Sequence, residues 1–524
     1  MDAWRRLAVG LGATIFGALL VATAPLAAEP GAPVVIGTDT PLDTLAPHLV
    51  LDTARAAARL ALYDGLFRWQ DGPVRLAPWI ALTYTVSEDG KIFRFTLRKD
   101  AKFHDGRDVT AADVVYSVER ILALKRGIAP LIAGVVNPGS TKAIDANTVE
   151  FSLARPSPLF LTLLSEVHVV NATLLKANEL NNDWGRAWLQ RNAAGSGPYS
   201  LKQYDPVAGL VVSRFAEHFS GEWGEKPIAE IEYRTVLDPE ARVDALIKGE
   251  IQAIDSDLLP HQMRRLREAK DLVLTESQSA RVFSGLLHHG REPMKTLAFR
   301  QVLAQAFDAD AFMRTALPQG PALTPLTVPL PPSLGTPTPA IARPRYDLEA
   351  ARAGLAKFKV LPRELTIGAI AGDPHSERAA GLMLDALTRL GLPGRIVTEP
   401  WPAIDARMRD DKQIFDILFL WRGTRYLDAN NWAGEMYDCD LFGGGNSSWY
   451  CNRDADKLIK EARAAADPKL RRAGFEKAAA KIAEDQAGLF IASGRWTVAH
   501  SKRLKGLRFS PVGEALDLRF ATFE

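Results

Sequence analysis

The sequence predicts an α/β protein built from more than one domain, and three observations carry that expectation. From Leu365 to Leu420 short apolar runs alternate with segments of helical periodicity, the pattern of a sheet covered by helices. The last of those runs, Ile414 to Leu420, is apolar apart from Asp416, as expected of a strand buried on both faces. Nine prolines lie between Pro318 and Pro344; they sustain neither helix nor central strand and mark an extended surface loop or linker. At 524 residues the chain has the length for two or three domains with substantial cores.

Taken in order, Val34 to Thr38 is β-rich, and Ala54 to Tyr63 is alanine-rich and helical in character, ending at Gly65. Tyr84 to Val86 and Ile92 to Leu97 flank the turn Ser87-Glu88-Asp89-Gly90, a hairpin. In its second strand Phe93, Phe95 and Leu97 alternate with Arg94, Thr96 and Arg98, so one face is buried and one is wet. Thr110 and Asp113 form a capping pair ahead of Val114, Val115, Val118, Ile121 and Leu122, a single apolar helical face. Leu201 to Phe215 is expected to form another strand pair. Asp238-Pro239-Glu240 starts a helix that Gly249 ends, and Ile251 to Ile254 returns as a strand. A helix with Val302, Leu303, Ala306 and Phe307 on one face follows Arg300, and Asp347 caps the next. Then come a strand at Leu365 to Ile370, a helix through Ala379, Met383 and Leu387, a strand at Arg395 to Thr398 and a helix near Ala403 to Met408. After the strand at Ile414 to Leu420, two further helices, the second opened by Asp467-Pro468, precede a strand-like tail from Leu489.

Charges nearly cancel, at +2, and no long basic run suggests a nucleic-acid surface. The N-terminus carries an address. Arg5 and Arg6, an apolar stretch from Leu7 to Val21, and Leu26-Ala27-Ala28 before Glu29 have the three-part layout of a secretory signal over residues 1–28, cleaved near Ala28. A membrane anchor is the alternative, but no second apolar run of about 18 residues follows. The leader has no cysteine to carry a lipid. The two cysteines, Cys439 and Cys451, are expected to pair in an oxidising compartment and to hold the Gly443-Gly444-Gly445 loop, with two free thiols as the alternative.

Candidate catalytic groups fare poorly. His104 stands beside Asp105, but Asp105-Gly106 makes a turn and a helix follows at once, so a structural role is predicted. Ala194-Gly195-Ser196-Gly197-Pro198-Tyr199 is no nucleophile elbow, because Ala194 occupies the first glycine position and Pro198 follows directly. There is no H-E-x-x-H, and the adjacent His288-His289 would point to opposite faces of a strand. A secreted hydrolase therefore lacks its parts. The strongest binding candidate lies just beyond Leu420, where Trp421, Arg422, Gly423, Thr424, Arg425, Tyr426, Leu427 and Asp428 follow the buried strand. Ligand crevices in α/β sheets open at that end of a strand.

With these landmarks placed, the chain resembles the extracellular solute-binding proteins, family 5, of bacterial peptide and nickel ABC importers. Leu45-Ala46-Pro47-His48 with Leu62-Tyr63-Asp64-Gly65-Leu66 resembles the family's opening "LDP…L(Y/F)EGL". Trp79, Ser87-Glu88-Asp89-Gly90, Phe93-Arg94-Phe95, Phe103-His104-Asp105-Gly106 and Thr110-Ala111-Ala112-Asp113-Val114 resemble its most specific block. Gly195-Ser196-Gly197-Pro198-Tyr199 is similar to its "GTGPY" turn. Asp238-Pro239 through Glu250-Ile251 is similar to "DPxARxxALxxGEID", and Phe299 to Asp308 to "VRQALxxAID".

The resemblance implies a two-lobed periplasmic-binding-protein fold, type II and cluster C-like, with an extra small domain on one lobe. Residues 29–65, 195–280 and 490–524 would form the discontinuous domain of lobe 1, 66–194 the extra domain, and 281–489 lobe 2. It implies no catalysis and no cofactor or metal. It also implies a monomer in the periplasm that delivers a peptide or peptide-like solute to the permease subunits of an inner-membrane ABC importer. A strand edge near Asp52 and Thr53, together with Trp421, Arg422, Arg425, Tyr426 and Asp428, would contact the ligand. Peptide-gripping relatives carry an Asp where this chain has Thr424; Asp428 could substitute as an amine anchor. Without that anchor, Arg422 and Arg425 shift the expected ligand toward net negative charge, since Arg grips carboxylates bidentately. A non-peptide anion, such as an opine-like conjugate or a metal chelate, is the alternative on the same fold. An adhesin or envelope chaperone would need an exposed apolar surface.

Overall fold

The computed structural model describes residues 33–49, 56–70, 75–221, 223, 226–255, 258–316, 323–334, 341–358, 363–424, 426–465, 467–510, 515–519 and 521–524. The leader, Asp52, Thr53 and Arg425 therefore lie outside the described residues. One mixed sheet passes through the molecule. Its order is Gly394–Glu399, Leu365–Ile370, Ile417–Arg422, Leu272–Leu287, Gly488–Ser501, Ala253–Asp255, Val34–Thr38, Glu230–Thr235, Gly209–Arg214 and Tyr199–Asp205, with Thr324–Pro325 paired to Gly488–Ser501 off this path.

Each end of the sheet is a small α/β unit. Val34–Thr38 pairs in parallel with both Glu230–Thr235 and Ala253–Asp255, and Leu365–Ile370 pairs in parallel with both of its neighbours. The helix Pro374–Arg389, capped by Asp373, turns Ala379, Ala380, Met383 and Leu387 onto the second unit. Between the units run the long strands Leu272–Leu287 and Gly488–Ser501, antiparallel to each other, with register shifts between Gln278 and Val282 and between Phe283 and Ser284. No helix among the described residues is long and apolar enough to cross a membrane.

A separate four-stranded antiparallel sheet, in the order Ala81–Val86, Ile92–Leu97, Thr148–Leu153 and Val136–Ala143, stands beside the first unit. Its second strand follows the expected alternation, with Phe93, Phe95 and Leu97 buried and Ile92, Arg94 and Thr96 exposed. The helix Ala111–Leu124 lies over it, and Asp113 accepts from the Thr110 backbone N–H at 3.0 Å and its hydroxyl at 2.7 Å, the capping pair read from the sequence.

The Gly195–Tyr199 turn joins this sheet's body to the long one. A Cβ on Gly195 would stand 1.8 Å from the Leu62 carbonyl oxygen, and one on Gly197 2.4 Å from the Leu62 carbonyl carbon. Backbone meets backbone there, so only glycine fits. Ser196 is fully buried and donates to Asp64 at 3.0 Å, which also accepts from the Trp79 indole at 2.7 Å. His104 Nε2 lies 3.0 Å from the Gly197 carbonyl. Both residues are structural.

The strand expected from Ile414 begins instead at Ile417. Asp416 is fully buried: its backbone N–H donates to the Thr366 carbonyl at 3.1 Å and its carbonyl accepts from His288 at 3.0 Å, while its carboxylate accepts from Arg363 at 2.5 and 3.0 Å and from the Thr366 N–H and hydroxyl at 2.8 and 2.9 Å. The strand is mixed rather than wholly parallel, since its other neighbour, Leu272–Leu287, runs antiparallel. His288 and His289 lie just beyond the strand, which ends at Leu287, rather than on it, and they part company there: His288 Nε2 meets Asp411 at 3.0 Å, while His289 Nε2 meets the Ala487 carbonyl at 3.1 Å.

Two predictions come from this frame. His168 is buried with Nδ1 3.1 Å from the Glu166 carbonyl, and burial, then the Arg59 charge, pull it down to about 3. Its carbonyl oxygen meets His48 Nε2 at 2.7 Å, and burial, then Arg120, hold His48 well below the usual histidine range. A histidine depressed in the folded state is favoured neutral. Its contribution is complete above about pH 6.5 and is lost on acidification, at about 1.4 kcal/mol per pH unit for each such group. The urea midpoint should therefore fall between about pH 7 and about pH 5, and fall less in His168→Gln. An unchanged slope in that variant would assign the acid sensitivity elsewhere. Cys439 and Cys451 are disulfide-bonded with a sequence separation of 12. A loop that short contributes about 3 kcal/mol at most by chain entropy, so reduction should lower the melting temperature modestly, read by calorimetry with and without reductant.

Candidate functional site

The register break in the long strand pair is where the two α/β units face each other. Ser279 and Arg281 from one strand, and Gly494, Arg495, Trp496 and Thr497 from the other, floor a recess there. Leu258 and Met263 wall it on the side of the first unit, and Leu323, His375 and Trp421 on the side of the second. It encloses about 40 Å³, room for a few waters and hence for one end or one short side chain of a ligand.

Trp421 is the aromatic wall. Its ring packs on Phe283, centroids 5.1 Å apart, and edge-on to His375 at 5.6 Å, and the Arg281 guanidinium lies 5.2 Å from its centroid, within cation–π range. Gly494 lets it sit there, because a Cβ would stand 3.1 Å from Trp421 Cη2. The Trp421 indole N–H points 3.3 Å from His375 Nδ1. An indole nitrogen only donates, so Nδ1 accepts and the proton of a neutral imidazole sits on Nε2. That Nε2–H is buried and has no partner among the described residues, and the same holds for the Thr497 hydroxyl oxygen. Buried polar atoms are almost always satisfied, so each of these two has a hydrogen bond left to make at the recess. The described lining contains two arginines and a histidine but no carboxylate; Arg495 meets Glu276, outside the lining, at 3.2 Å. Such a lining suits an acceptor: a carbonyl or carboxylate.

The predicted site residues separate. Trp421 lines the recess. Arg422 does not: the strand continues through it, so it points to the opposite face, pairing with Val282 while Trp421 pairs with Phe283. Its Nη2 donates to the Gly445 carbonyl at 3.0 Å, tying the disulfide-bonded loop to the sheet. Tyr426 is fully buried among the apolar residues of the four-stranded sheet, with its hydroxyl donating to Glu435 and accepting from the Asn430 amide at 2.6 Å. It offers no stacking face to the recess. Burial, then the Glu435 charge, raise that phenol well above its usual range, which keeps it a donor. Asp428 caps Ala429–Asn431 and receives two hydrogen bonds from Arg471, at 2.8 and 3.1 Å, so its carboxylate is already neutralised by a guanidinium. Thr424 is buried with its hydroxyl unpartnered among the described residues. Asp52, Thr53 and Arg425 lie outside them.

Sequence reasoning missed His375, Thr497 and Arg281. His375 had a usable signal. It opens a helix directly after the strand Leu365–Ile370, the same strand-end position that singled out Trp421. Arg281 and Thr497 had none, because they meet only through the pairing of strands over 200 residues apart.

The chain is 26% identical to the probable D,D-dipeptide-binding periplasmic protein DdpA of Escherichia coli K12 over 96% of both chains. It is 28% identical to the dipeptide-binding protein of the same strain, over 88% of this chain and 89% of the relative. Among solved structures, the dipeptide-binding protein from Pseudoalteromonas sp. SM9913 in complex with Met-Leu superposes with a TM-score of 0.82 at 21% identity, covering 94% of this chain and 100% of that one. The profile of the bacterial extracellular solute-binding proteins, family 5, middle region, matches residues 75–443. A two-lobed α/β frame, a recess at the strands that join its halves and a family match across most of its length agree: the chain belongs to the family 5 bacterial extracellular solute-binding proteins.

Proposed function

We propose that this protein is exported to the periplasm, captures a short peptide between its two lobes and hands it, chemically unchanged, to the membrane subunits of an ABC importer. Two relatives aligned along nearly their whole length are dipeptide-binding by name. The observation that carries the reading is the pair of buried, unpartnered donors, His375 Nε2–H and the Thr497 hydroxyl, beside Trp421 and Arg281 in a recess whose described lining has no carboxylate. A peptide supplies the matching acceptors in its carbonyls and its terminal carboxylate. The two groups stand on opposite sides of the register break, so closing the lobes about the long strands would bring them together on one ligand. The same cationic lining also fits a non-peptide anion, which is the second reading.

Mass spectrometry of the small molecules released when the exported protein is denatured decides between them. Short peptides support the first reading; a single non-peptide anion establishes the second; hydrolysis products of an added peptide would overturn both. With the recovered ligand, His375→Phe should weaken binding about tenfold or more, the worth of a hydrogen bond to a charged or buried group. Trp421→Ala should weaken it further, whereas Arg422→Ala should change affinity less than either, because its side chain faces away from the recess. Isothermal titration of the three variants checks the order, and an Arg422→Ala loss as large as that of His375→Phe would move the site to the other face of the strand.

A further inference from the structure

Tyr426 and Leu427 are consecutive, yet they pack into different bodies. Leu427, half-buried, packs against the cluster that contains Trp432, Ala433 and Phe475 and draws on the helices Arg453–Ala464 and Pro468–Glu484. Tyr426 belongs to the apolar cluster of the four-stranded sheet, with Phe67, Phe95 and Phe160. Every other buried member of that cluster comes from residues 66–169. Among the described residues, Tyr426 alone reaches it from the far side of the long strand pair, beyond the strand Ile417–Arg422.

The segment that presents it is braced on its own side. Asn431 Nδ2 donates to the Gly423 carbonyl at 3.2 Å, Asp428 caps the following turn and is gripped by Arg471, and Asn430 donates to the Tyr426 hydroxyl. The hydroxyl's second partner, Glu435, lies on the same side. The phenol therefore divides its contacts: the ring is held by one body and the oxygen by the other. Withdrawing the ring exposes apolar surface but leaves the hydroxyl satisfied, so separation of the bodies costs hydrophobic burial without orphaning a buried polar group.

We infer that Tyr426 is a latch between the lobes, a preassembled plug whose ring seats in the extra domain's apolar core when the molecule closes. It stabilises the closed form whether or not ligand is present, so part of the free energy of closure comes from the protein rather than from the solute. Removing the ring should shift the ligand-free equilibrium toward the open form about tenfold to a hundredfold, the range set by burying one large apolar side chain.

The test uses the whole mature chain, stripped of ligand by unfolding and refolding. Spin labels on Lys142→Cys, in the four-stranded sheet, and Asp385→Cys, in the helix Pro374–Arg389, report the separation of the two bodies; both positions are exposed. The parent should show mainly the short distance without ligand. Tyr426→Ala should move most of that population to a longer distance, Tyr426→Leu should fall between, and Tyr426→Phe, which keeps the ring, should resemble the parent. Should the alanine variant fail to fold, the leucine and phenylalanine variants still separate ring from hydroxyl. A parent that is open without ligand, or distances that ignore substitution of the ring, would overturn the latch. No ligand enters this measurement, so its failure is distinct from failure of the peptide reading.

Discussion

Everything in this molecule hangs on the pairing of Leu272–Leu287 with Gly488–Ser501. The two strands are long enough for each to belong to both α/β units. At one end they are flanked by Ala253–Asp255, and at the other Leu272–Leu287 is flanked by Ile417–Arg422. A regular ladder would make the two units one rigid slab. The register break between Gln278 and Val282 interrupts it midway, and bulges of this kind bend and twist a strand locally. Register break and recess are thus the same place, and the strands that shift there are the ones that floor it.

What was legible in the sequence was local. Ile92–Leu97 announced its buried face by strict alternation, and Thr110 with Asp113 announced a helix start, because both signals are complete within a few residues. The glycines at 195 and 197 read as a tight turn, although the reason for them, a carbonyl of Leu62 against their α-carbons, is a tertiary fact. Leu272–Leu287 was not legible. Its centre, Thr275-Glu276-Ser277-Gln278-Ser279, has neither alternation nor apolar content, because that stretch crosses between cores and has none to fill. The misplacement of Arg422 has an equally simple origin. Ending its strand at Leu420 makes Trp421 and Arg422 a shared loop; extending the strand by two residues puts them on opposite faces.

The recess inverts a common expectation about charged sites. Of its two arginines, Arg495 is engaged with Glu276 and Arg281 lies over the Trp421 ring. What faces the cavity without a partner among the described residues is an imidazole nitrogen, His375 Nε2, and the Thr497 hydroxyl. Donors held in place by the fold discriminate among ligands by geometry as well as by charge.

The joining strand Gly488–Ser501 is made more than 200 residues after the partner with which it forms the longest ladder among the described residues. The first unit likewise waits for it, since Ala253–Asp255 finds its second neighbour only in Ala499 and His500. Contacts of such sequence separation form late and slowly. A nascent chain can therefore acquire its four-stranded sheet early, from residues close in sequence, while the long sheet stays incomplete until Gly488–Ser501 has been made. The order of the strands thereby sets a clock on folding: the recess, floored by both long strands, is the part that assembles last.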